Sequence, residues 1–290
     1  MSQPFKTIAL IGKYNSPELS EPLLRLAEFL VQHQYDVLVA RQTAEQIGAS
    51  SYSMANLSEI GGAADVAIVM GGDGTMLNIA RTLVSFNVPL MGINQGRLGF
   101  LTDISTDTMF DTVADMLAGK FSSEDRILLT AEVWRNGEKV FDACSFNDVV
   151  VAKGNAGRLI EIEVSIDGDF VNSQRADGLV VATPTGSTAY ALSAGGPILH
   201  PTLEAIALVP ICPHTLSARP IAVNSHSTVE ITIIYADDGR AHFDGQRHFD
   251  LNVGDKVVVR RAKNTVHLLH PVGHNYYDML RQKLHWGEKL

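Results

Sequence analysis

The chain has 290 residues, of which 46% are hydrophobic and 19% are charged, which is the composition of a globular protein with room for two domains. Its 23 lysines and arginines and 32 aspartates and glutamates give a formal net charge of −9, without a long run of either sign. This balance argues against a nucleic-acid partner, which favours a basic surface. No uncharged apolar stretch of about 18 residues is present, so no segment is predicted to span a membrane.

The two cysteines, Cys144 and Cys212, are far apart in the sequence, and each has apolar neighbours. Two such cysteines do not form a disulfide framework or a metal site, and we expect both to be small core residues in a reducing compartment. Residues 1–6 lack the apolar segment of a signal peptide. These features predict a cytoplasmic protein.

The first part of the chain alternates predicted strands and predicted helices. Continuous apolar runs predict strands at residues 7–11, 37–40, 66–70 and 89–93. Apolar residues at helical spacing predict helices at residues 22–30, 57–62, 75–84 and 110–117. This alternation predicts a parallel sheet covered by helices.

The pattern changes near Ser122, where predicted strands begin to follow one another. Strands are predicted at residues 127–134, 160–166, 179–182, 228–235, 256–260 and 265–269, and a last helix at residues 276–284. The pairs Asn136-Gly137, Asp167-Gly168 and Asp238-Gly239 predict hairpin turns. We therefore predict an α/β plus all-β chain. Residues 1–122 form a Rossmann-like α/β domain, residues 123–274 form an antiparallel β-rich, sandwich-like domain, and a C-terminal helix within residues 275–290 packs back on the first domain.

Three glycines surround an aspartate directly after the predicted strand at residues 66–70, in the run Gly71-Gly72-Asp73-Gly74-Thr75. Ligands of open parallel sheets bind at the carboxyl ends of the strands, and a helix N-terminus attracts phosphate. The run is not a G-x-G-x-x-G fingerprint, because Leu77 occupies the last position, and no Lys-Ser or Lys-Thr pair of a Walker loop follows. We predict a phosphate-binding loop formed by Gly71, Gly72, Gly74 and Thr75.

Asp73 requires a separate explanation, because a carboxylate in the centre of a phosphate-binding loop repels its ligand. Two tasks fit the position: accepting a proton from an attacking hydroxyl, or holding a Mg²⁺ ion that offsets the charge. The alternative is a helix N-cap, which explains the aspartate but does not call for three glycines.

Hydroxyl residues and glycines are dense in a second segment, which follows the predicted strand at residues 179–182. It reads Thr183-Pro184-Thr185-Gly186-Ser187-Thr188-Ala189-Tyr190 and continues with Ser193-Ala194-Gly195-Gly196-Pro197. Its backbone amides and hydroxyls suit a ribose or a carboxamide, although a surface loop tolerates the same composition. The Gly186-Ser187 pair is not a nucleophile elbow, because G-x-S-x-G is absent.

Together with other segments, these runs resemble the NAD kinase family over nearly the whole chain. The other segments are Gly92-Ile93-Asn94-Gln95-Gly96-Arg97-Leu98-Gly99-Phe100-Leu101, Asn147-Asp148, Arg175-Ala176-Asp177-Gly178-Leu179 and Asp244-Gly245-Gln246. The Gly-Gly-Asp-Gly run alone also resembles lipid kinases and phosphofructokinases. The block at residues 183–197 and the order of the whole set are more specific.

The resemblance implies an enzyme that transfers the γ-phosphoryl group of ATP to the 2′-hydroxyl of the adenosine ribose of NAD, giving NADP and ADP. It implies Mg²⁺ as the divalent cofactor and NAD and ATP as small-molecule partners. It also implies a homo-oligomer, either a dimer or a tetramer, without a nucleic-acid or membrane partner.

The resemblance also implies roles for individual residues. Asp73 is implied as the general base on the ribose hydroxyl, Asn147 and Asp148 as contacts of the acceptor ribose, and Phe100 as a neighbour of the adenine. The other implied dinucleotide contacts are Gly74, Arg158, Arg175, Asp177, Thr188, Ala189, Tyr190, Ala191, Leu192, Ser193 and Gln246.

Two other functions stay open at this point. A lipid or sphingoid-base kinase shares the Gly-Gly-Asp-Gly loop, but it is expected to present a basic or amphipathic membrane-facing surface, which the sequence does not indicate. A non-catalytic dinucleotide sensor does not need Asp73.

Histidine pairs were also considered as metal ligands. His242 with His248, and His267 with His270, do not have the helical i, i+4 spacing of a zinc site, so no protein-bound zinc is predicted.

Overall fold

The computed structural model describes residues 5–49, 51–96, 98–154 and 158–287. Arg97, within the resemblance, and residues 288–290, within the predicted C-terminal segment, lie outside the described residues. The strands, in chain order, are β1 (Thr7–Gly12), β2 (Asp36–Ala40), β3 (Ser53–Ala55), β4 (Val66–Met70), β5 (Leu90–Asn94), β6 (Ile104–Ser105), β7 (Phe121–Arg126), β8 (Leu129–Arg135), β9 (Glu138–Ser145), β10 (Asp148–Lys153), β11 (Ile160–Ile166), β12 (Asp169–Ala176), β13 (Gly178–Ala182), β14 (Ala205–Ile211), β15 (Ile221–Asn224), β16 (Val229–Tyr235), β17 (Gly239–Phe243), β18 (Arg247–Leu251), β19 (Lys256–Arg261) and β20 (Val266–Pro271).

Most helices lie between strands of the first sheet, α6 lies between the antiparallel strands β13 and β14, and α7 follows the last strand. They are α1 (Ser20–Gln32), α2 (Arg41–Ile47), α3 (Leu57–Ala63), α4 (Asp73–Leu83), α5 (Met109–Leu117), α6 (Tyr190–Ser193) and α7 (Tyr276–Leu284). The predicted helices at residues 22–30, 57–62, 75–84, 110–117 and 276–284 are confirmed. The predicted strand at residues 66–70 is confirmed with its limits unchanged. Within the described ranges, no helix combines the length and apolar character needed to cross a bilayer.

The described residues divide into two compact units. The first contains the residues up to Asp125 and those from Val266 onwards, and the second contains Arg126–Thr265. The sheet of the first unit has the order β3-β2-β1-β4-β5-β20-β7, with β6 added beside β5. The pairs from β3 to β5 are parallel. The order 3-2-1-4-5 is that of a doubly wound fold, which confirms the predicted fold class.

The core of the first unit explains why β4 reads as a continuous apolar run. All five of its side chains are fully buried, because the sheet is covered on both faces. Helix α4 turns Met76, Ile79, Ala80 and Leu83 inward at helical spacing. The strand order reverses between β1 and β4, so the carboxyl ends of these two strands flank the position where such folds bind ligands.

The second unit contains two antiparallel sheets. One has the order β15-β14-β13-β10-β17-β18 and the other β12-β11-β16-β19-β8-β9. A single apolar cluster draws residues from both sheets, including Val149 and Val181 from the first and Ile162 and Ile231 from the second. The predicted antiparallel, sandwich-like arrangement is therefore confirmed.

Three sequence expectations are wrong in detail. Asp238-Gly239 does not close a hairpin, because β16 pairs with β11 and β19 while β17 pairs with β10 and β18, so the chain changes sheets there. The predicted strand at residues 265–269 is not antiparallel: β20 pairs in parallel with β5. Alternation of apolar residues does not encode strand direction. Cys212 is exposed rather than a core residue, and Cys144 is only half-buried.

Two of the three isoleucines of β16, Ile231 and Ile234, allow a test of which face of this strand is buried. Ile231 is fully buried, whereas Ile234 is 42% exposed. We predict that Ile231→Ala lowers the free energy of unfolding by about 2–5 kcal/mol, because it removes buried methyl groups and leaves a cavity. The matched change Ile234→Ala is expected to cost less than about 1 kcal/mol. Urea denaturation followed by circular dichroism measures both, and equal losses would contradict the assigned faces.

Candidate functional site

The glycine run lies at the carboxyl end of β4, as predicted. β4 ends at Met70, and α4 begins at Asp73 with Gly72 as its N-cap. The N–H of Gly71 donates to the Ile93 carbonyl of β5 at 2.9 Å, which continues the sheet by one residue. The run therefore leads directly from the sheet into a helix N-terminus, where backbone N–H groups and the helix dipole favour anions.

The Asp73 carboxylate is fixed by the backbone of a neighbouring loop. Its two oxygens accept the N–H groups of Phe100 at 2.9 Å and Leu101 at 3.0 Å. A Cβ atom on Gly99 would lie 2.2 Å from Asp73 Oδ1, so this approach requires a glycine. The N-cap of α4 is Gly72, and Asp73 is the first residue of the helix. Two segments of the resemblance, residues 71–75 and 92–101, are thus joined through one carboxylate, and the N-cap alternative is not observed.

Lys13 is a cation at this end of the sheet that the sequence analysis missed. It follows β1, whose Gly12 pairs with Met70, and its N–H donates to the Met70 carbonyl at 2.9 Å. No Walker-type signal marks it. The signal available in the sequence was its position directly after an apolar strand, which becomes informative only once β1 and β4 are known to be neighbours.

In the second unit, Asn147 and Asp148 lie at the start of β10, next to a second aspartate. The Asp244 carboxylate accepts the N–H groups of Phe146 at 2.9 Å, Asn147 at 2.7 Å and Asp148 at 3.1 Å. Asp244 occupies a β17–β18 hairpin turn with Gly245, and both residues have positive φ. The sequence analysis named Asp244 only within the resemblance and did not predict that it anchors residues 146–148.

Burial and charge act together on the Asp148 side chain. The residue is 4% exposed. Burial, followed by the neighbouring negative charge of Asp244, raises the pKa of Asp148 from 3.8 to about 7. Asp148 is therefore poised to change its charge near neutral pH.

The segment that begins at Thr183 folds against Asn147. The Thr183 N–H donates to the Asn147 carbonyl at 2.9 Å, and the Thr183 hydroxyl donates to the Phe146 carbonyl at 2.6 Å. A Cβ atom on Gly186 would lie 2.0 Å from the Asn147 oxygen, so only glycine fits there. The predicted motifs at residues 147–148, 183–190 and 244–246 therefore form one constellation in the second unit.

Two hydroxyls of this segment serve the fold and not a ligand. Thr183 and Ser187 are fully buried. The Ser187 hydroxyl donates to the Pro184 carbonyl at 2.6 Å and accepts the Leu199 N–H at 2.9 Å. The expectation that the hydroxyls of this run line a ribose is therefore wrong for these two residues.

The stretch from Thr188 to Ser193, which includes α6, is only partly accessible. Thr188, Ala189 and Leu192 are half-buried, and Tyr190 and Ser193 are exposed. Ala191 is fully buried and packs in an apolar cluster with Val180 and Val209. Its side chain holds α6 on the sheet, so any ligand contact it makes is through its backbone.

The remaining predicted residues are dispersed. Asp177, between β12 and β13, has its carboxylate 2.7 Å from the Lys153 ammonium. Arg158 lies beside Asp237 at 3.2 Å, and Arg175 lies 3.7 Å from Glu161 across the β11–β12 pair. Both arginines belong to the sheet that does not contain Asp148.

Gln246 and Phe100 occupy turns in different units. Gln246 ends the hairpin turn that contains Asp244, and its N–H donates to the Phe243 carbonyl at 3.0 Å. Phe100 is half-buried, and the Lys283 ammonium lies 5.8 Å from the centre of its ring.

Solved structures share this fold. A crystal structure of yeast NADH kinase complexed with NADH superposes with a TM-score of 0.91 at 24% sequence identity, covering 100% of this chain and 93% of the yeast chain. An NAD kinase from Archaeoglobus fulgidus in complex with ATP has a TM-score of 0.76 at 23% identity, covering 97% of this chain and 100% of that chain.

Sequence comparison extends the likeness beyond the fold. The family model described as the ATP-NAD kinase N-terminal domain matches residues 8–121, and that described as the C-terminal domain matches residues 146–271. The NAD kinase of Thiobacillus denitrificans is 59% identical over 290 residues, which is 100% of both chains. That of Nitrosomonas eutropha is 57% identical over 286 residues, which is 99% of this chain and 97% of the relative. This degree of identity over the full length shows that the chain belongs to the ATP-NAD kinase family and is a phosphotransferase.

Proposed function

We propose that this chain transfers the γ-phosphoryl group of ATP to the 2′-hydroxyl of the adenosine ribose of NAD, giving NADP and ADP. The observation that carries the proposal is the Asp73 carboxylate, which two backbone N–H groups hold at the glycine run after β4. An acid fixed beside a phosphate-binding turn suits a reaction in which a hydroxyl attacks a phosphoryl group.

Asp73 is proposed as the general base. Each carboxylate oxygen already accepts one N–H and keeps a further lone pair for the ribose hydroxyl. The loop contacts limit rotation of the carboxylate, so the oxygen that receives the proton is held in place before the substrate binds. Proton acceptance by such a group is typically worth about 10²–10⁴-fold in rate.

The phosphates of ATP are proposed to contact the backbone of Gly71, Gly72, Gly74 and Thr75 and the ammonium of Lys13. Mg²⁺ is proposed to arrive with ATP, because it prefers phosphate and carboxylate oxygens and keeps several water ligands. Among the described residues, the only group of three metal-ligating side chains is Asp103, His270 and His274, whose two imidazoles suit Mg²⁺ poorly. No residue of the chain is therefore assigned to Mg²⁺, which when bound neutralises phosphate charge.

The dinucleotide contacts are proposed residue by residue. Asn147 and Asp148 are assigned to the acceptor ribose and Phe100 to the adenine. The other proposed contacts are Gly74, Arg158, Arg175, Asp177, Thr188, Ala189, Tyr190, Ala191, Leu192, Ser193 and Gln246. The contacts of the Asn147 backbone with Gly186 and Asp244 support the first assignment, because they fix the backbone position from which the side-chain amide extends.

We also propose a cytoplasmic homo-oligomer, a dimer or tetramer, without a nucleic-acid or membrane partner. The net charge of −9 supports the absence of a nucleic-acid partner.

The activity is tested with NAD, ATP and Mg²⁺, and NADP is detected with an NADP-specific dehydrogenase. We expect phosphorylation of NAD and of an analogue that lacks the 3′-hydroxyl of the adenosine ribose. An analogue that lacks the 2′-hydroxyl is not expected to react. A sphingoid base in place of NAD tests the lipid-kinase alternative. Binding of NAD without any NADP formation would support the sensor alternative.

The role of Asp73 is tested by Asp73→Asn. Asparagine has nearly the same shape but cannot take up the proton, so we expect kcat to fall by about 10²-fold or more. The amide offers one oxygen acceptor in place of two, so one loop hydrogen bond is lost and Tm falls slightly. Steady-state kinetics and thermal unfolding measure the two effects separately.

Asp65→Asn is the matched control for this change. Asp65 precedes β4 and accepts the N–H groups of Lys6 at 2.7 Å and Thr7 at 2.8 Å, so it is also an aspartate that binds backbone. We expect near-parent NADP formation from this variant. If the folded Asp73→Asn protein also kept near-parent turnover, Asp73 would not be the general base and would only anchor the loop.

Asn147→Ala tests the ribose assignment. The change removes the amide but keeps the backbone contacts to Asp244 and Thr183, so the fold should survive. We expect the Kd for NAD to rise by about 5–10-fold, equivalent to one hydrogen bond. Calorimetry measures the Kd, with Asn172→Ala, an exposed position on β12, as the control. An unchanged Kd would remove Asn147 from the site.

The raised pKa of Asp148 predicts a pH-dependent stability. The pKa of the Asp148 carboxyl is 3.8 in the unfolded chain and about 7 in the folded chain. Its stabilising contribution is therefore complete below the lower value and is lost as pH rises to the higher value. Relative to Asp148→Asn, which has no such ionisation, wild-type stability should fall by an amount on the order of 4 kcal/mol across this window and then level off.

Urea denaturation at a series of pH values measures this difference. Asp169→Asn, which replaces an exposed aspartate on β12, should follow the wild type at every pH. Parallel curves for wild type and Asp148→Asn would show that Asp148 is already ionised below neutral pH in the folded chain.

A further inference from the structure

Two histidines and an aspartate lie close together in the first unit and form a cluster separate from the Asp73 carboxylate. Nδ1 of His270, on β20, lies 2.8 Å from Oδ2 of Asp103, which precedes β6. Nδ1 of His274, which precedes α7, lies 2.9 Å from the same oxygen. The three side chains are only 3%, 13% and 6% exposed for His270, His274 and Asp103.

The electrostatics of this cluster call for a cation. The two imidazole rings stack at 4.0 Å with an angle of 14° between their planes, and both turn Nδ1 towards one carboxylate. The other oxygen of that carboxylate, Asp103 Oδ1, is buried and has no hydrogen-bond partner among the described residues. A buried carboxylate oxygen without a donor is an acceptor that a bound cation can satisfy.

One outer contact, between His270 and Glu124, resembles the arrangement around a bound transition metal. The other ring nitrogen of His270, Nε2, lies 3.4 Å from a carboxylate oxygen of Glu124 on β7. Metal-ligating histidines characteristically present their second nitrogen to a carboxylate, which fixes the ring. The ligand atoms of Asp103, His270 and His274 all lie within 4.8 Å of one another. Zinc bonds of about 2.0–2.1 Å put tetrahedral ligand atoms about 3.3 Å apart, so the oxygen and nitrogens need to separate by about 0.5 Å.

We propose that Asp103, His270 and His274 bind one Zn²⁺ ion in the first unit, with Glu124 as the outer carboxylate of His270. Imidazole nitrogens select zinc and other first-row transition ions over Mg²⁺ and Ca²⁺, which prefer oxygen ligands. The site is distinct from the Mg²⁺ that accompanies ATP.

The proposed Zn²⁺ ion connects three separate parts of the chain. Asp103 lies two residues after Leu101, whose N–H binds Asp73. His274 precedes Asn275, the N-cap of α7, and Lys283 of the same helix lies over the Phe100 ring. Zn²⁺ therefore ties the loop that holds Asp73 to β20 and to the start of α7, and its role is structural.

Metal binding by the full-length chain tests this proposal without any assay of phosphoryl transfer. The protein is stripped with a chelator, and Zn²⁺ is titrated in competition with a chromophoric chelator. We expect one Zn²⁺ per chain with a Kd below about 1 µM and a rise in Tm that saturates at one equivalent. Co²⁺ should replace Zn²⁺ and give visible absorption bands of a nitrogen-and-oxygen site. Mg²⁺ at the same concentration should leave Tm unchanged.

Variants locate the ion. His274→Asn removes one ligand at a partly exposed position and should weaken Zn²⁺ binding by at least about 100-fold. Asp103→Asn, which keeps the side-chain volume, should do the same and serves if the first variant does not fold. His226→Asn is the matched control, because His226 also lies beside a carboxylate, Glu204, at 3.9 Å, but belongs to no three-ligand group among the described residues.

Two results would overturn the proposal. One is a stripped wild-type protein that does not take up Zn²⁺ at micromolar concentration, which would leave the cluster a hydrogen-bonded ion pair. The other is equal Zn²⁺ affinity in wild type, His274→Asn and Asp103→Asn, which would put the ion elsewhere in the chain. Loss of NADP formation without loss of Zn²⁺ binding concerns only the proposed activity.

Discussion

The first unit depends on the contact between the Asp73 carboxylate and the backbone N–H groups of Phe100 and Leu101. A helix N-terminus after a glycine turn attracts any anion, including the carboxylate of its own first residue. The N–H groups of Phe100 and Leu101 hold the Asp73 carboxylate against the loop, and Gly99 makes the close approach possible. The acid and the anion-binding helix end are thereby kept as two separate groups, which is the condition for placing a base beside a phosphate.

The second unit uses the same kind of contact for a different purpose. The Asp244 carboxylate accepts three successive backbone N–H groups at residues 146–148 and thereby shapes the start of β10. Burial raises the pKa of Asp148, and the Asp244 charge raises it further, so a fold-stabilising anchor also acts on the protonation of a neighbouring buried acid. Local backbone geometry and site electrostatics are therefore inseparable here: removal of the anchor would alter both at once.

Much of this arrangement could be predicted from the sequence because it is local. The apolar run before Gly71 and the helical spacing after Thr75 were sufficient to predict β4 and α4, and Asn136-Gly137 predicted a turn in which both residues have positive φ. The direction of β20 could not be predicted, because the same alternation fits either direction and its partner β5 lies far away in the chain. The proximity of Lys13 to the glycine run likewise depends on a strand order that no local pattern encodes.

The histidine cluster is a second feature that local sequence patterns do not predict. Spacing rules directed attention to His267 with His270, whereas the structure brings His270 together with His274 at a strand-to-helix junction and with Asp103, far away in the chain. The helical i, i+4 rule was inapplicable, because His274 lies before α7 and not within it. A cluster built across a junction is recognisable only from side-chain positions.

Gly72 is the glycine of the run that packing within the fold does not require. Its φ of −98° is accessible to any residue, and a Cβ atom there would meet no atom within 4 Å. Packing explains Gly99, where the added carbon would collide with Asp73, but it gives no reason for glycine at position 72. A glycine at this exposed N-cap leaves the backbone N–H groups at the start of α4 open to close approach by a ligand. The helix N-terminus beside it favours an anion, which is the property that the proposed phosphate contact requires.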